Sequence, residues 1–181
     1  MTRVLYVKAS PRGEASASHR VAMAYIHALS EKGTVELDTL DVWKEELPAF
    51  DGAALEAKYV GLSGQPLSKE QRAGWQAIQT LGNRFHSADQ LVMSVPMWNF
   101  GIPYRLKHLI DLVTQKDVLF TFSNGAFDGK LKAKRGIFVC ARGLGYGTDG
   151  FPEEQFDYQK SYLTAWANFV GISDIQVIRV E

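Results

Sequence analysis

The sequence is poor in several things, and each shortage narrows what the chain can be. It holds one cysteine, Cys140, in 181 residues. That excludes an intrachain disulfide and any cysteine metal cluster. Within the apolar run Gly136-Ile137-Phe138-Val139-Cys140, the thiol is expected to be a small buried core residue. The four histidines, His19, His27, His86 and His108, show no metal-ligand spacing, so no metal is expected. Neither sign of charge is in excess: 20 basic side chains stand against 20 acidic ones. Nucleic-acid binders usually carry a marked basic surplus, so nucleic acid is not an expected partner. No apolar run approaches membrane-spanning length and no apolar signal segment follows the N-terminal charges, which makes a cytoplasmic protein without membrane insertion the default expectation. The loop after the first strand lacks Gly-x-Gly-x-x-Gly, and Gly-x-x-x-x-Gly-Lys-[Ser/Thr] occurs nowhere, which removes the dinucleotide fingerprint and the P-loop.

What is present is a chain that is 46% hydrophobic, long enough for one domain with a full core over residues 1–181. Apolar runs at 4–9, 34–42, 90–95, 136–141 and 175–180 read as strands, the second nearer an edge. Helical spacing follows the first, where Ser16 or Ser18 would cap a helix that Gly33 ends. Residues 43–66 are the least regular, with a short helix over 53–59. Ser68-Lys69-Glu70-Gln71 reads as a capping box, opening a helix with Trp75, Ile78, Leu81 and Phe85 on its apolar face. Residues 103–113 and about 155–170 are helical, the latter with Tyr158, Tyr162, Leu163, Trp166 and Phe169 on one face and Gly171 as its cap. Between helix and fourth strand, Val118-Leu119-Phe120-Thr121-Phe122 with turn signals Asn124-Gly125 and Asp128-Gly129 predicts a flap or irregular hairpin. Lys130, Lys132, Lys134 and Arg135 read as a solvated edge. Strands alternating with helices imply a doubly wound, five-stranded parallel sheet. The order expected is 2-1-3-4-5, with the flap before strand 4.

In such a sheet, ligands bind beyond the carboxyl ends of the strands, near the switch in strand order. Three unusual loops follow strands one, three and four, which this order makes neighbours. The first offers hydroxyls from Ser10, Ser16 and Ser18, a helix N-terminus and Arg12, a way of holding phosphate; ordinary N-capping would need only one of those serines. The second, Pro96-Met97-Trp98-Asn99-Phe100-Gly101-Ile102-Pro103, is a turn rich in apolar and aromatic residues. It is either a buried turn or a cover for something flat and apolar. The third, Arg142-Gly143-Leu144-Gly145-Tyr146-Gly147, has glycines that admit close backbone approach, and a charge at Arg142. Phosphate at one end and a flat, polar-edged ring at the other describe FMN.

These motifs resemble those of the FMN-dependent NADH azoreductase and quinone reductase family, of flavodoxin-like fold. Ser10-Pro11-Arg12-Gly13-Glu14-Ala15-Ser16-Ala17-Ser18 is similar to its phosphate loop. Residues 96–103, with Leu106-Lys107 and Ile110-Asp111, resemble its ring-binding segment, Ala141-Arg142-Gly143 its third loop, and Phe120 with its neighbours its flap. The resemblance implies bound FMN, with phosphate contacts from Ser10, Arg12, Ser16, Ala17 and Ser18. Ring contacts would come from Pro96, Met97, Trp98, Asn99, Phe100, Ala141, Arg142, Gly143 and Leu144. It implies a homodimer with flavin sites at the interface, and a substrate pocket of Phe120, Phe122 and Tyr146, with Phe120 supplied by the partner subunit. It implies a ping-pong reaction in which NADH, with NADPH as the alternative donor, gives hydride to flavin N5 and a quinone or azo compound then takes it. No side chain is assigned an acid–base role. Ala141 and Leu144 depart from the hydroxyl and glycine usual in the family. The sequence also stops at Glu181, where family members commonly continue into a helix over one sheet face. That face is expected to pack differently, to be covered by the dimer partner, or to belong to a truncated form. Two other readings fit the same fold: a flavodoxin-type electron carrier, and a scaffold that has lost its flavin.

Overall fold

The computed structural model describes residues 1–133, 135–143, 145 and 152–181. The elements run β1 (Thr2–Lys8), a 3₁₀ turn (Gly13–Ala15), α1 (Ala17–Ser30), β2 (Val35–Asp41), α2 (Gly52–Leu62), α3 (Lys69–Ser87), β3 (Gln90–Pro96) and α4 (Tyr104–Val113). They continue with β4 (Phe120–Ser123), β5 (Ala126–Gly129), β6 (Arg135–Ala141), α5 (Glu153–Phe156), α6 (Tyr158–Val170) and β7 (Asp174–Val180). The sheet order is β2-β1-β3-β6-β7, all parallel, which is the expected 2-1-3-4-5 with the hairpin β4–β5 set apart. The three middle strands are apolar on consecutive residues because both faces are covered. The edge strand β2 alternates and stays largely exposed.

The two faces have separate cores. On one, Leu5, Val7, Leu91, Met93, Val95, Phe138 and Cys140 pack against α3, α4 and α6 through Ile78, Phe85, Leu106, Leu109, Leu163 and Trp166. On the other, Val4, Tyr6, Val92, Ile137 and Val139 pack against Ala22 and Ile26 of α1, with Ile178 and Val180 of β7 half-buried beside them. Burial pushes the Cys140 thiol up to about 12, so it is a packing residue.

The local signals work as the chemistry requires. Ser16, not Ser18, caps α1, which ends at Ser30, three residues before Gly33. Ser68 and Gln71 form the reciprocal capping box of α3. Asn124 and Gly125 both have positive φ, as a tight hairpin turn demands. Two expectations need correction. Asp128-Gly129 is not a turn: it completes β5, where Gly129 meets the backbone of Val170 and Gly171 so closely that a Cβ would lie 2.2 Å from Gly171 N. The last helix is two pieces. Asp157 interrupts it, capping α6 by accepting from Lys160 N. Leu163 and Trp166 of its expected apolar face are buried, but Tyr158 is exposed. In the charge run, Arg135 pairs with Asp174 and Lys130 donates to Asp117 O; Lys134 lies outside the described residues.

Candidate functional site

The parallel register sets the first three candidate segments side by side at the carboxyl ends of β1, β3 and β6. Ala9 N donates to Ser94 O, and Met97 N donates to Ala141 O, so each loop is tied to the next at its root.

The first loop leaves β1 at Ser10, makes the 3₁₀ turn and enters α1. Ser10, Ser16 and Ser18 are all buried, and the hydroxyls of Ser16 and Ser18 lie 3.1 Å apart. Ser16 Oγ accepts from His19 N. The N–H groups of Ala17 and Ser18 are the first two of the helix and have no intrahelical acceptor. Arg12 is exposed, and its guanidinium has no ion-pair partner among the described residues. N-capping accounts for Ser16 alone. Two further buried hydroxyls and two N–H groups without a partner among the described residues, at a positive helix end, form a polar, electropositive cluster suited to a phosphate dianion.

The second loop is strained. Asn99 and Phe100 have φ of 46° and 69°, and Trp98 and Gly101 exchange both backbone hydrogen bonds around them. Left-handed backbone costs a side-chain-bearing residue such as Phe100 about 1–2 kcal/mol. The fold holds it there: Phe100 O accepts from Tyr158 N, and the Phe100 ring packs 5.3 Å from that of Phe156. The N–H groups of Asn99 and Phe100 are left without partners among the described residues. Trp98 is 37% exposed and Phe100 42%, which decides the open question against a buried turn.

The third loop is described through Gly143 and at Gly145; Leu144 and Tyr146 lie outside the described residues. Arg142 is placed otherwise than as a free charge. Its side chain is 3% exposed and pairs with Asp157 at 3.2 Å and Glu181 at 2.6 Å, while its N–H donates to Val180 O. These pairs tie the root of the third loop to the start of α6 and to the residue after β7. Among the described residues no ring contact joins the hairpin to the loops: Phe120 packs on Phe127 and Phe169, and Phe122 on Phe127. Since α6 runs opposite to the strands, its end at Val170 and Gly171, where the hairpin docks, lies at their amino ends.

Sequence reasoning missed several residues that shape the site. Trp43, after β2, packs 5.6 Å from Trp98 and 5.4 Å from Tyr104. Its indole N–H donates to Ala9 O, so it braces the first loop against the second. A tryptophan beyond a strand's carboxyl end was the available signal, the same one that marked Trp98. Arg105 donates to Val42 O and Glu45 O, and Gln159 donates to Val95 O just before Pro96. No spacing in the sequence announces either.

Among known proteins, the flavodoxin-like fold family matches over residues 2–181. The FMN-dependent NADH:quinone oxidoreductase 9 of Burkholderia lata is 48% identical over 187 residues, covering 100% of this chain and 88% of that protein. The FMN-dependent NADH:quinone oxidoreductase 2 of Pseudomonas syringae pv. tomato is 49% identical over 181 residues, covering 98% and 85%. Among solved structures, an FMN-dependent NADH-azoreductase of Bacillus anthracis in complex with FMN superposes with a TM-score of 0.86 at 26% identity, covering 99% of this chain and 86% of that one.

Proposed function

The chain belongs to the flavodoxin-like fold family, and from that premise we propose that it is an FMN-dependent oxidoreductase that uses NADH to reduce quinones and azo compounds. One observation carries the reading. A nest of buried hydroxyls at a helix N-terminus and an exposed aromatic turn whose N–H donors have no partner among the described residues share the carboxyl edge of neighbouring strands. The named activities of the similar proteins from Burkholderia lata, Pseudomonas syringae and Bacillus anthracis support it.

The residues present fit FMN at both ends. Ser10, Ser16 and Ser18 with the N–H groups of Ala17 and Ser18 would hold the phosphate, with Arg12 beside them. Pro96, Met97, Trp98, Asn99 and Phe100, with the backbone of Ala141, Arg142 and Gly143, would hold the ring system; Leu144 completes this set. The bound cofactor supplies two-electron hydride chemistry between NADH and the acceptor. The chain's own part is placement. Unpaired backbone donors at Asn99 and Phe100 are fixed in advance, so they need no reorganisation as negative charge develops nearby. Phe120, Phe122 and Tyr146 form the substrate pocket in this reading. Because hairpin and loops sit at opposite ends of the strands, a second copy is the natural donor of Phe120, which supports a homodimer. We also assign residues 1–181 to one FMN-binding domain and place the protein in the cytoplasm; no described helix is long and apolar enough to cross a membrane.

The test is a visible absorption spectrum after FMN addition and desalting, then after anaerobic NADH. Retained flavin bands that NADH bleaches are expected. Retained bands that NADH leaves unchanged would replace the enzyme with an electron carrier, and no retained flavin would overturn the cofactor assignment.

A further inference from the structure

A buried polar chain lies behind the first loop, on the α1 face of the sheet. Tyr6 Oη is 2.7 Å from His19 Nδ1 and 2.8 Å from Ser94 Oγ, and His19 Nε2 is 3.0 Å from Glu14 Oε1. The Tyr6 and His19 rings stack with centroids 5.9 Å apart. Tyr6, His19 and Ser94 are all buried, whereas the Glu14 side chain is 88% exposed.

The direction of this chain follows from its ends. A carboxylate only accepts, so Nε2 carries the hydrogen and donates to Glu14. In the neutral imidazole Nδ1 is then the acceptor, and Tyr6 donates to it. Tyr6 has one hydrogen, so Ser94 donates to Tyr6. Burial pushes the Tyr6 phenol up to about 12, so it stays a neutral hydroxyl able to play both parts. Each buried polar atom is satisfied only while the whole chain is in place.

The four residues come from four segments: β3, β1, α1 and the 3₁₀ turn. Those segments carry the proposed phosphate contacts. Ser10 follows β1, whose end is bonded to Ser94 O through Ala9 N. Ser16 and Ser18 flank the start of α1, one turn of which also holds His19. Phe, Ala and Leu would fill the same volume without polar cost. Using Tyr, Ser and His instead links the two ends of the loop through side chains, in addition to the bonds from Ala9 N to Ser94 O and from the Trp43 indole to Ala9 O.

Resting on the FMN reading above, we propose that Tyr6 and His19, joined to Ser94 and Glu14, are positioning residues that hold the first loop in register for the cofactor's phosphate. They would act on the phosphate end alone. The test is therefore the ratio of two affinities, for FMN and for riboflavin, which lacks the phosphate, read by quenching of flavin fluorescence in the full chain. Tyr6→Phe is expected to raise the FMN Kd roughly tenfold and the riboflavin Kd less than twofold. Equal rises for both flavins, or no rise for either, would overturn the proposal while leaving the FMN reading intact. A wild-type chain that binds neither flavin would overturn the FMN reading, and this proposal with it. Should Tyr6→Phe fail to fold, Glu14 gives a second handle on the surface. Glu14→Ala is expected to weaken FMN about threefold, with Glu14→Gln restoring it, since the amide still accepts from Nε2. Tightening of FMN in both variants would mean that Glu14 acts only as a nearby negative charge, and would overturn its place in the chain.

Discussion

The first and second loops stand side by side at the carboxyl edge of the sheet and present the same chemical asset, backbone N–H groups with no partner among the described residues. They reach it by different means. In the first, the start of α1 leaves Ala17 and Ser18 unpaired as any helix would, and Ser16 caps it without strain. In the second, Asn99 and Phe100 are forced into left-handed backbone, with Phe156, Tyr158 and Trp43 packed around the turn to keep it there. The first is surrounded by hydroxyls, the second by rings. One suits a compact charged group, and the other a flat surface with a polar edge. Proximity alone would not have separated those two tasks; the side chains around otherwise similar donors do.

This contrast can be broken experimentally, because the two loops should respond differently to one atom group of the ligand. The largest effect is expected from Ser16→Ala with Ser18→Ala. Two charge-assisted hydrogen bonds are lost, which should raise the FMN Kd by about a hundredfold or more while changing riboflavin binding little. The helix also loses its cap, about 1 kcal/mol of stability, measurable by urea unfolding. Trp98→Ala should instead weaken FMN and riboflavin by the same factor, roughly tenfold, because it removes surface from the ring end alone. A changed FMN-to-riboflavin ratio in Trp98→Ala would erase the division of labour.

Smaller changes sharpen it. Asn99→Gly preserves the positive φ of the turn but removes the side-chain amide and loosens the backbone. The FMN Kd is expected to rise about threefold, with turnover of the loaded protein falling by less. An unchanged Kd would show that the turn's backbone, not Asn99 itself, carries the contact. The last effect vanishes at neutral pH. Burial raises both Tyr6 and Tyr162 to about 12 from 10, because the charged phenolate is desolvated. Between those values the unfolded chain has lost protons that the folded chain keeps, so stability is full below pH 10 and falls as pH rises toward 12. Tyr6 accounts for about 2–3 kcal/mol of that loss. The melting temperature of Tyr6→Phe should accordingly fall less steeply over this range than that of the wild type.

Much of the architecture was legible because it rests on local rules. Apolar runs of strand length, the Ser68–Gln71 capping box, Gly171 with its φ of 102° and the Asn124-Gly125 turn each declare themselves within a few residues. Right-handed crossovers then leave few sheet orders, and one of those places the loops after β1, β3 and β6 together. The sequence by itself therefore determined the strand order and the edge at which ligand chemistry belongs. Tertiary structure alone decided how that edge is built. Arg142 looked like a free charge until Asp157 and Glu181 closed around it, 15 and 39 residues away. Tyr6 looked like one more apolar strand residue until Ser94 and His19 met its hydroxyl, 88 and 13 residues away. Phe120 read as part of a flap, and only the folded chain set its ring against Phe169. Such partnerships have no period and no fixed spacing. They depend on which side chains the finished sheet brings face to face, and on the cost of leaving a buried polar atom without one.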